Sequence, residues 1–269
     1  MQPLVNIAVR AARRAGEIIV RGMNRLHRLE VHAKGQNDFV TEIDLQAERD
    51  IIETIHKHYP DHAILGEESG PLDGSRGESE FVWIIDPLDG TTNYLHGFPQ
   101  FAVSIAVQRR GRIEHGVIYD PLRQELFTTS RGEGVQLDGR RVRVSNRVGL
   151  EGALIGTGFP YRSNLRWLDH YMATLKAVMQ QSSGIRRPGS AALDLAYVAA
   201  GRLDGFWEFG LAPWDTAAGS LMITEAGGLV GNLNGTEYQQ GGHIVAGTPK
   251  VYAPLLELLT PHLPEELRS

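Results

Sequence analysis

Residues 83–94 read Trp-Ile-Ile-Asp-Pro-Leu-Asp-Gly-Thr-Thr-Asn-Tyr. A run of β-formers, Phe81 to Ile85, delivers two carboxylates, Asp86 and Asp89, with Pro87 stiffening the turn between them. Two carboxylates about 4 Å apart repel by roughly 4 kcal/mol at an effective dielectric near 20. Protonation or a cation must relieve that repulsion. Mg²⁺ suits the task, because it takes oxygen ligands and is usually held by a few carboxylates together with a phosphate. Gly90, Thr91 and Thr92 follow at once and offer backbone N–H groups where a helix can start, a seat for an anion. An ordinary Asx turn, with Asp89 capping the next segment, is the plainer alternative.

Further residues along the chain fit the same chemistry. Glu67, in Gly66-Glu67-Glu68, follows a short apolar run just as Asp86 does, and two strands ending in acids can set those acids side by side. Asp215 opens a helix whose first turn, Thr216-Ala217-Ala218-Gly219-Ser220, is unusually small, so other backbone can come close. Read structurally, Asp215 is an N-cap. Asp44 likewise completes a capping box with Thr41. Gly189-Ser190-Ala191 opens another helix, with Ser190 as N-cap and free amides behind it.

The elements that must position these residues are legible from periodicity. Leu4, Ala8, Ala11, Ala15, Ile18, Gly22 and Leu26 predict an amphipathic helix over 3–26. Residues 29–40 read as polar and turn-like around Lys34-Gly35. Thr41 opens a second helix with Ile43, Ala47, Ile51 and Ile55 buried. Strands are predicted at 63–65, 101–108, 113–120 and 125–130, with a hairpin at 135–145 around Asp138-Gly139. Residues 69–80 form a loop. The second half predicts strands at 153–158, 205–208, 229–230 and 243–247, and helices at 167–181, 190–200, 215–226 and 251–259. The fold class is α+β, with layered sheets and helices.

With 269 residues, 42% of them hydrophobic, the chain can bury a large core. The absence of cysteine excludes disulfides, thiolate metal sites and cysteine-based phosphatase chemistry. A net charge of -5 argues against a broad nucleic-acid footprint. Arg10, Arg13 and Arg14 interrupt the N-terminal pattern, so no signal peptide is expected, and no apolar run reaches the ~20 residues of a membrane span. A cytoplasmic protein is expected.

The first motif, Trp83 to Tyr94, resembles the signature of the inositol monophosphatases. So does the second, Trp214-Asp215-Thr216-Ala217-Ala218-Gly219 continuing to Gly227-Gly228, with Gly66-Glu67-Glu68-Ser69 and Gly189-Ser190-Ala191 in the expected order. The resemblance covers essentially the whole chain and is closest to bacterial members. It implies the alternating helix and sheet layers shared with fructose-bisphosphatases. It also implies one catalytic domain, 1–269, in two halves: 1–146 with the metal motif and 147–269 completing the site.

By the same resemblance, Glu67, Asp86, the Leu88 carbonyl, Asp89 and Asp215 hold two Mg²⁺ ions. A third, weaker ion sits near Glu67 and Lys34. Glu67, Thr91 and Asp44 serve the in-line attack of a metal-activated water on myo-inositol 1-phosphate or a similar polyol monophosphate. Asp89, Gly90, Thr91, Gly189, Ser190, Ala191, Glu208 and Asp215 contact that substrate. Arg186-Arg187 either neutralises a second phosphate or forms ion pairs at a subunit interface. Lithium sensitivity and a homodimer are implied as well. The alternatives are related esters (fructose 1,6-bisphosphate, a 3′-phosphonucleotide, histidinol phosphate) and a role with RNA polymerase and Nus factors in transcription antitermination. A haloacid-dehalogenase-type nucleophile is disfavoured, since its two aspartates stand two apart and Asp86 and Asp89 stand three apart.

Overall fold

The structure, a computed structural model, describes residues 2–26, 31–35, 38–160 and 162–268. It opens with α1 (Pro3–Met23), followed by the hairpin β1 (Val31–Gly35) and β2 (Asp38–Thr41) and then α2 (Glu42–His56). Next come β3 (Ala63–Gly66), β4 (Gly70–Leu72), β5 (Phe81–Asp89), the short α3 (Thr91–Leu95), β6 (Ala102–Arg109), β7 (Arg112–Asp120), β8 (Glu125–Ser130), β9 (Gly134–Leu137) and β10 (Arg140–Val142). The remainder holds β11 (Leu154–Thr157), α4 (Leu168–Gln181), β12 (Gly184–Arg186), α5 (Ala191–Ala199), β13 (Gly205–Leu211), α6 (Pro213–Glu225), β14 (Leu229–Gly231), β15 (Gly242–Gly247) and α7 (Pro249–Leu259).

Three apolar cores hold five layers together, the middle one spanning both faces of the central helices. An eight-stranded sheet, ordered β10-β9-β8-β7-β6-β5-β3-β4, is antiparallel except where β3 runs parallel to β5. One face of it carries α1 and α2, through Val5, Ala8, Ala15, Ile19, Ile43, Ala47 and Ile51 packed on Trp83, Ile85, Val103 and Val117. Its other face packs on α5 and α6, which also cover the five-stranded sheet β12-β11-β13-β15-β14. That second sheet buries its far side, including Trp207 and Val245, against Tyr171 and Val178 of α4 and Val251 and Leu255 of α7. The order helix, sheet, helix, sheet, helix is the layered α+β arrangement expected. Among the described residues, no helix is long and apolar enough to cross a membrane.

Three details depart from the sequence reading. The stretch 29–40, read as polar and turn-like, holds β1 and most of β2, which pair antiparallel; Lys34 lies in β1, and its side chain falls outside the described residues. The stripe of α1 is centred on Val5, Ala12 and Ile19 rather than on Leu4 and Ile18, which are only half-buried. Within 69–80, Gly70–Leu72 pairs with β3 as an edge strand.

The run of small residues at 216–220 of α6 does what its composition suggests. A Cβ added at Gly219 would sit 2.5 Å from Leu195 Cβ, and one at Gly116 would sit 3.1 Å from Ala218 Cα. The middle helices therefore pack nearly in backbone contact with each other and with the large sheet.

Candidate active site

β5 does not stop at Asp86; it runs through Asp89 with an irregularity. On a regular strand, residues three apart face opposite sides. Against β6, Asp86 pairs with Ser104 and Asp89 with Ala102, so three steps on one strand match two on the other. This one-residue bulge returns both carboxylates to one side. Pro87 sits in the bulge, where a missing N–H costs nothing, and Leu88 N donates to Asp86 Oδ1 at 2.9 Å. The chain then turns through Gly90 at φ 97°, where a Cβ would lie 2.9 Å from the Gln100 carbonyl, and α3 begins.

Glu67 follows β3, the parallel neighbour of β5, and its N–H donates to the Ile85 carbonyl at 3.0 Å. Buried Glu48 of α2 steadies this turn by accepting from Glu68 N at 3.0 Å. Asp215 is the third residue of α6 rather than its N-cap; its Oδ2 accepts from Ala212 N at 2.7 Å. Helix packing brings that end of α6 against β5, and ligand oxygens of Asp86, Asp89 and Asp215 lie within 4.8 Å of one another. Glu67 hydrogen-bonds Asp86 and lines the same cavity.

That cavity has a volume of about 380 Å³, within the usual range for small-molecule sites. Leu88, Gly90, Thr91, Gly189, Ser190, Ala191 and Glu208 all border it. Asp44 does not. It stands behind Thr91, whose Oγ1 donates to Asp44 Oδ1 at 2.9 Å and approaches the Leu88 carbonyl at 3.1 Å. The capping box is also present: Asp44 Oδ2 accepts from Thr41 N at 2.9 Å and from the Thr41 hydroxyl. One carboxylate thus caps α2 and orients Thr91.

The start of α5 differs from expectation in one respect. Ser190 is its N-cap, accepting from Leu193 N at 3.4 Å, but its hydroxyl donates to Asp89 Oδ2 at 2.5 Å. Ala192 N donates to the same oxygen at 2.8 Å. Part of this helix N-terminus is therefore spent on a protein carboxylate and is not free for a ligand. Asn93, unmarked in the sequence reading, donates to the carbonyls of Gln100 at 2.7 Å and Pro188 at 2.8 Å, fixing the α5 entry loop against α3. Arg187 borders the cavity with its guanidinium 4.7 Å from the Phe159 ring centre, so it is not solely a candidate interface residue. Asp194, which nothing in the sequence singles out, lines the cavity too.

Electrostatics make the case for cations. Burial, and then the charges of Glu67, Asp89 and Asp215, push the Asp86 carboxyl well above the usual range. Burial raises Asp89 to about 6, against the hydrogen bonds from Ser190, Ala192 and Ala191. Burial likewise lifts Asp44, Glu208 and Asp194. The only basic side chain bordering the cavity, among the described residues, is Arg187. An anion enters such a pocket only with cations to match. Opposite ligands of an octahedral Mg²⁺ stand about 4.2 Å apart, twice a ~2.1 Å bond, and oxygens gathered within 4.8 Å need only small side-chain adjustments to meet such ions.

A layered sandwich with a cluster of carboxylates suited to hard cations beside a helix start is the arrangement of a class of metal-dependent phosphatases. The chain belongs to the inositol monophosphatase family, whose sequence profile matches residues 1–264. It is 55% identical over 270 residues to the protein named Nus factor SuhB of Pseudomonas aeruginosa, with the whole of both chains covered. Among solved structures it resembles the extragenic suppressor protein SuhB of Bartonella henselae (TM-score 0.92, 45% identity, 96% of this chain and 98% of that one). It also resembles the inositol monophosphatase of Anabaena (TM-score 0.85, 37% identity, 97% and 96% covered).

Proposed function

We propose that the protein is a Mg²⁺-dependent phosphomonoesterase that hydrolyses myo-inositol 1-phosphate and similar polyol monophosphates by direct in-line attack of water. The observation that carries this reading is the convergence of Asp86, Asp89 and Asp215 in a cavity also lined by Glu67 and the Gly90-Thr91 turn. Glu67, Asp86, the Leu88 carbonyl, Asp89 and Asp215 would hold two to three ions. When bound, the ions supply charge neutralisation and activation of the attacking water and the leaving oxygen.

The protein's own part is orientation and proton handling. Thr91 Oγ1 passes its proton to Asp44 Oδ1 as it takes one from the attacking water, and the Thr41 hydrogen bonds keep Asp44 in place for that exchange. Gly90 and Thr91 N–H groups bind the phosphate, and Gly189, Ser190, Ala191 and Glu208 border the space for the alcohol. The site joins two halves of one catalytic domain, 1–146 and 147–269. Support for this comes from Asp89 in the first half accepting from Ser190 in the second. Phosphate release from inositol 1-phosphate tests the reading: turnover is expected with Mg²⁺ and none after chelation. Turnover undiminished by chelator would refute it.

A second reading rests on the name carried by the Pseudomonas relative, Nus factor. On it, the protein contacts RNA polymerase and Nus factors in the cytoplasm, through protein surfaces rather than RNA, in keeping with its negative charge. A homodimer belongs to both readings. Exposed Leu168, Met172 and Met179 on α4 offer an apolar face for it.

A further inference from the structure

Asp194 has no counterpart in the metal chemistry, yet its surroundings are built. It lies one turn into α5, four residues after the Ser190 N-cap and three after Ala191, so all three share one face of the helix, and all three line the cavity. The side chain is 1% exposed. Its Oδ1 has no hydrogen-bond partner among the described residues. The large majority of buried side-chain polar atoms in folded proteins are paired, and an unpaired carboxylate oxygen at a cavity calls for an explanation. Nearby donors are already committed: Thr157 Oγ1 is engaged with Tyr171 OH at 3.0 Å and the Gly158 carbonyl at 3.3 Å. Ser190 Oγ and Ala192 N serve Asp89.

The strand end beside it, Gly156-Thr157-Gly158, is shaped around the Glu208 carboxyl. β11 runs parallel to β13, pairing Gly156 with Phe206 and Thr157 with Trp207, which sets Gly158 abreast of Glu208. A Cβ at Gly158 would fall 2.0 Å from the Glu208 carboxyl carbon. The missing side chain is thus the space through which Glu208 reaches the cavity. At Gly156 a Cβ would meet Leu203 at 2.9 Å and Phe206 at 3.1 Å, with Asp194 Cβ next at 3.8 Å. Two carboxyls of different elements, Asp194 and Glu208, border the cavity near this strand end, and Arg187 is the basic group whose charge acts on both.

We propose that Asp194 is a specificity-determining residue: its carboxyl, which borders the cavity, accepts a hydrogen bond from a hydroxyl of the substrate alcohol, so that Asp194 and Glu208 together select esters of hydroxyl-rich alcohols. This inference rests on the phosphomonoesterase reading. An ester without hydroxyl donors leaves the buried oxygen unpaired and binds less well for that reason.

The test measures kcat and KM for inositol 1-phosphate and for 4-nitrophenyl phosphate, which has no hydroxyl donor on its alcohol side. Wild type is compared with Asp194→Ala and Asp194→Asn in the Mg²⁺-loaded protein. In Asp194→Ala the ratio of kcat/KM for inositol 1-phosphate over the aryl ester is expected to fall by about 10-fold to 100-fold. The loss should sit in KM rather than kcat. Asp194→Asn, which keeps an acceptor oxygen and the side-chain shape, is expected to recover most of that ratio. An unchanged ratio in Asp194→Ala would mean that the oxygen is satisfied by water or by its own protonation, and would overturn the inference while leaving the phosphatase reading standing. A uniform loss on both esters would assign Asp194 a structural role and overturn it equally. Wild type inactive on either ester with Mg²⁺ would overturn the phosphatase reading and this inference together.

Discussion

Asparagine in place of Asp86 is expected to lower kcat for inositol 1-phosphate by about 10³-fold, while the metal-free protein becomes more stable. The two effects share one cause. Asp86 is fully buried among Glu67, Asp89 and Asp215, and its charge is unfavourable there until a cation offsets it. The amide keeps the oxygen that accepts from Leu88 N, so the bulge survives. It removes the negative charge that a hard divalent ion requires. Bound metal ions contribute several kcal/mol of transition-state stabilisation. A loss of about 4 kcal/mol is about 10³ in rate. Relief of buried like-charge repulsion should raise the stability of the metal-free variant by about 1–3 kcal/mol. Steady-state kinetics and a denaturant melt on the same sample decide the matter. If activity and stability fall together, Asp86 is a structural residue and the metal-centre assignment fails.

The second large effect concerns pH and Mg²⁺ together. Asp89 has its folded pKa raised to about 6 from an ordinary carboxylate value, and Asp86, Glu208 and Asp194 are displaced in the same direction. Such groups hold protons in the native state that the unfolded chain has already released. Their contribution is therefore most favourable below about pH 4 and is lost as pH rises through the folded values. For Asp89 alone the loss is about 3 kcal/mol between pH 4 and 7. Mg²⁺ binds the ionised form and restores what ionisation removes. At 100 times its dissociation constant it adds about 2.7 kcal/mol, a rise in Tm of roughly 5–10 °C for a domain of this size. Thermal melts with and without Mg²⁺ should show that rise at pH 7.5 and little of it at pH 4.5, where protons compete for the same oxygens. An equal shift at both pH values, or none at either, would contradict the account.

Much of this was legible because the strongest signals are local. The helical stripe of α2, the strand pattern at 113–130 and the two acid motifs depend on residues near one another in sequence. What escaped depends on phase or on distant packing. Asp86 and Asp89 are three apart, a spacing that should send them to opposite faces; only the mismatch with Ser104 and Ala102 on β6 brings them together. The pair β1 and β2 has too few apolar residues to announce its strands, and β12 is three residues whose parallel partner, β11, lies some thirty positions earlier. Asp215 reads as an N-cap because an acid at a helix start usually is one; Pro213 opens the helix, which puts the true N-cap at Ala212, three residues earlier. The roles of Glu48, Asn93 and Asp194 are invisible locally. Each looks like a polar residue on a helix and acquires its meaning from a neighbour 20 or more positions away.

Anomalous diffraction from crystals grown with Mn²⁺ tests most directly whether these acids form one divalent centre. A peak is expected within bonding reach of Asp86, Asp89 and Asp215, and its disappearance in Asp86→Asn. Manganese bound only elsewhere on the protein, or a cluster that stays bare at saturating Mn²⁺ and neutral pH, would contradict that expectation.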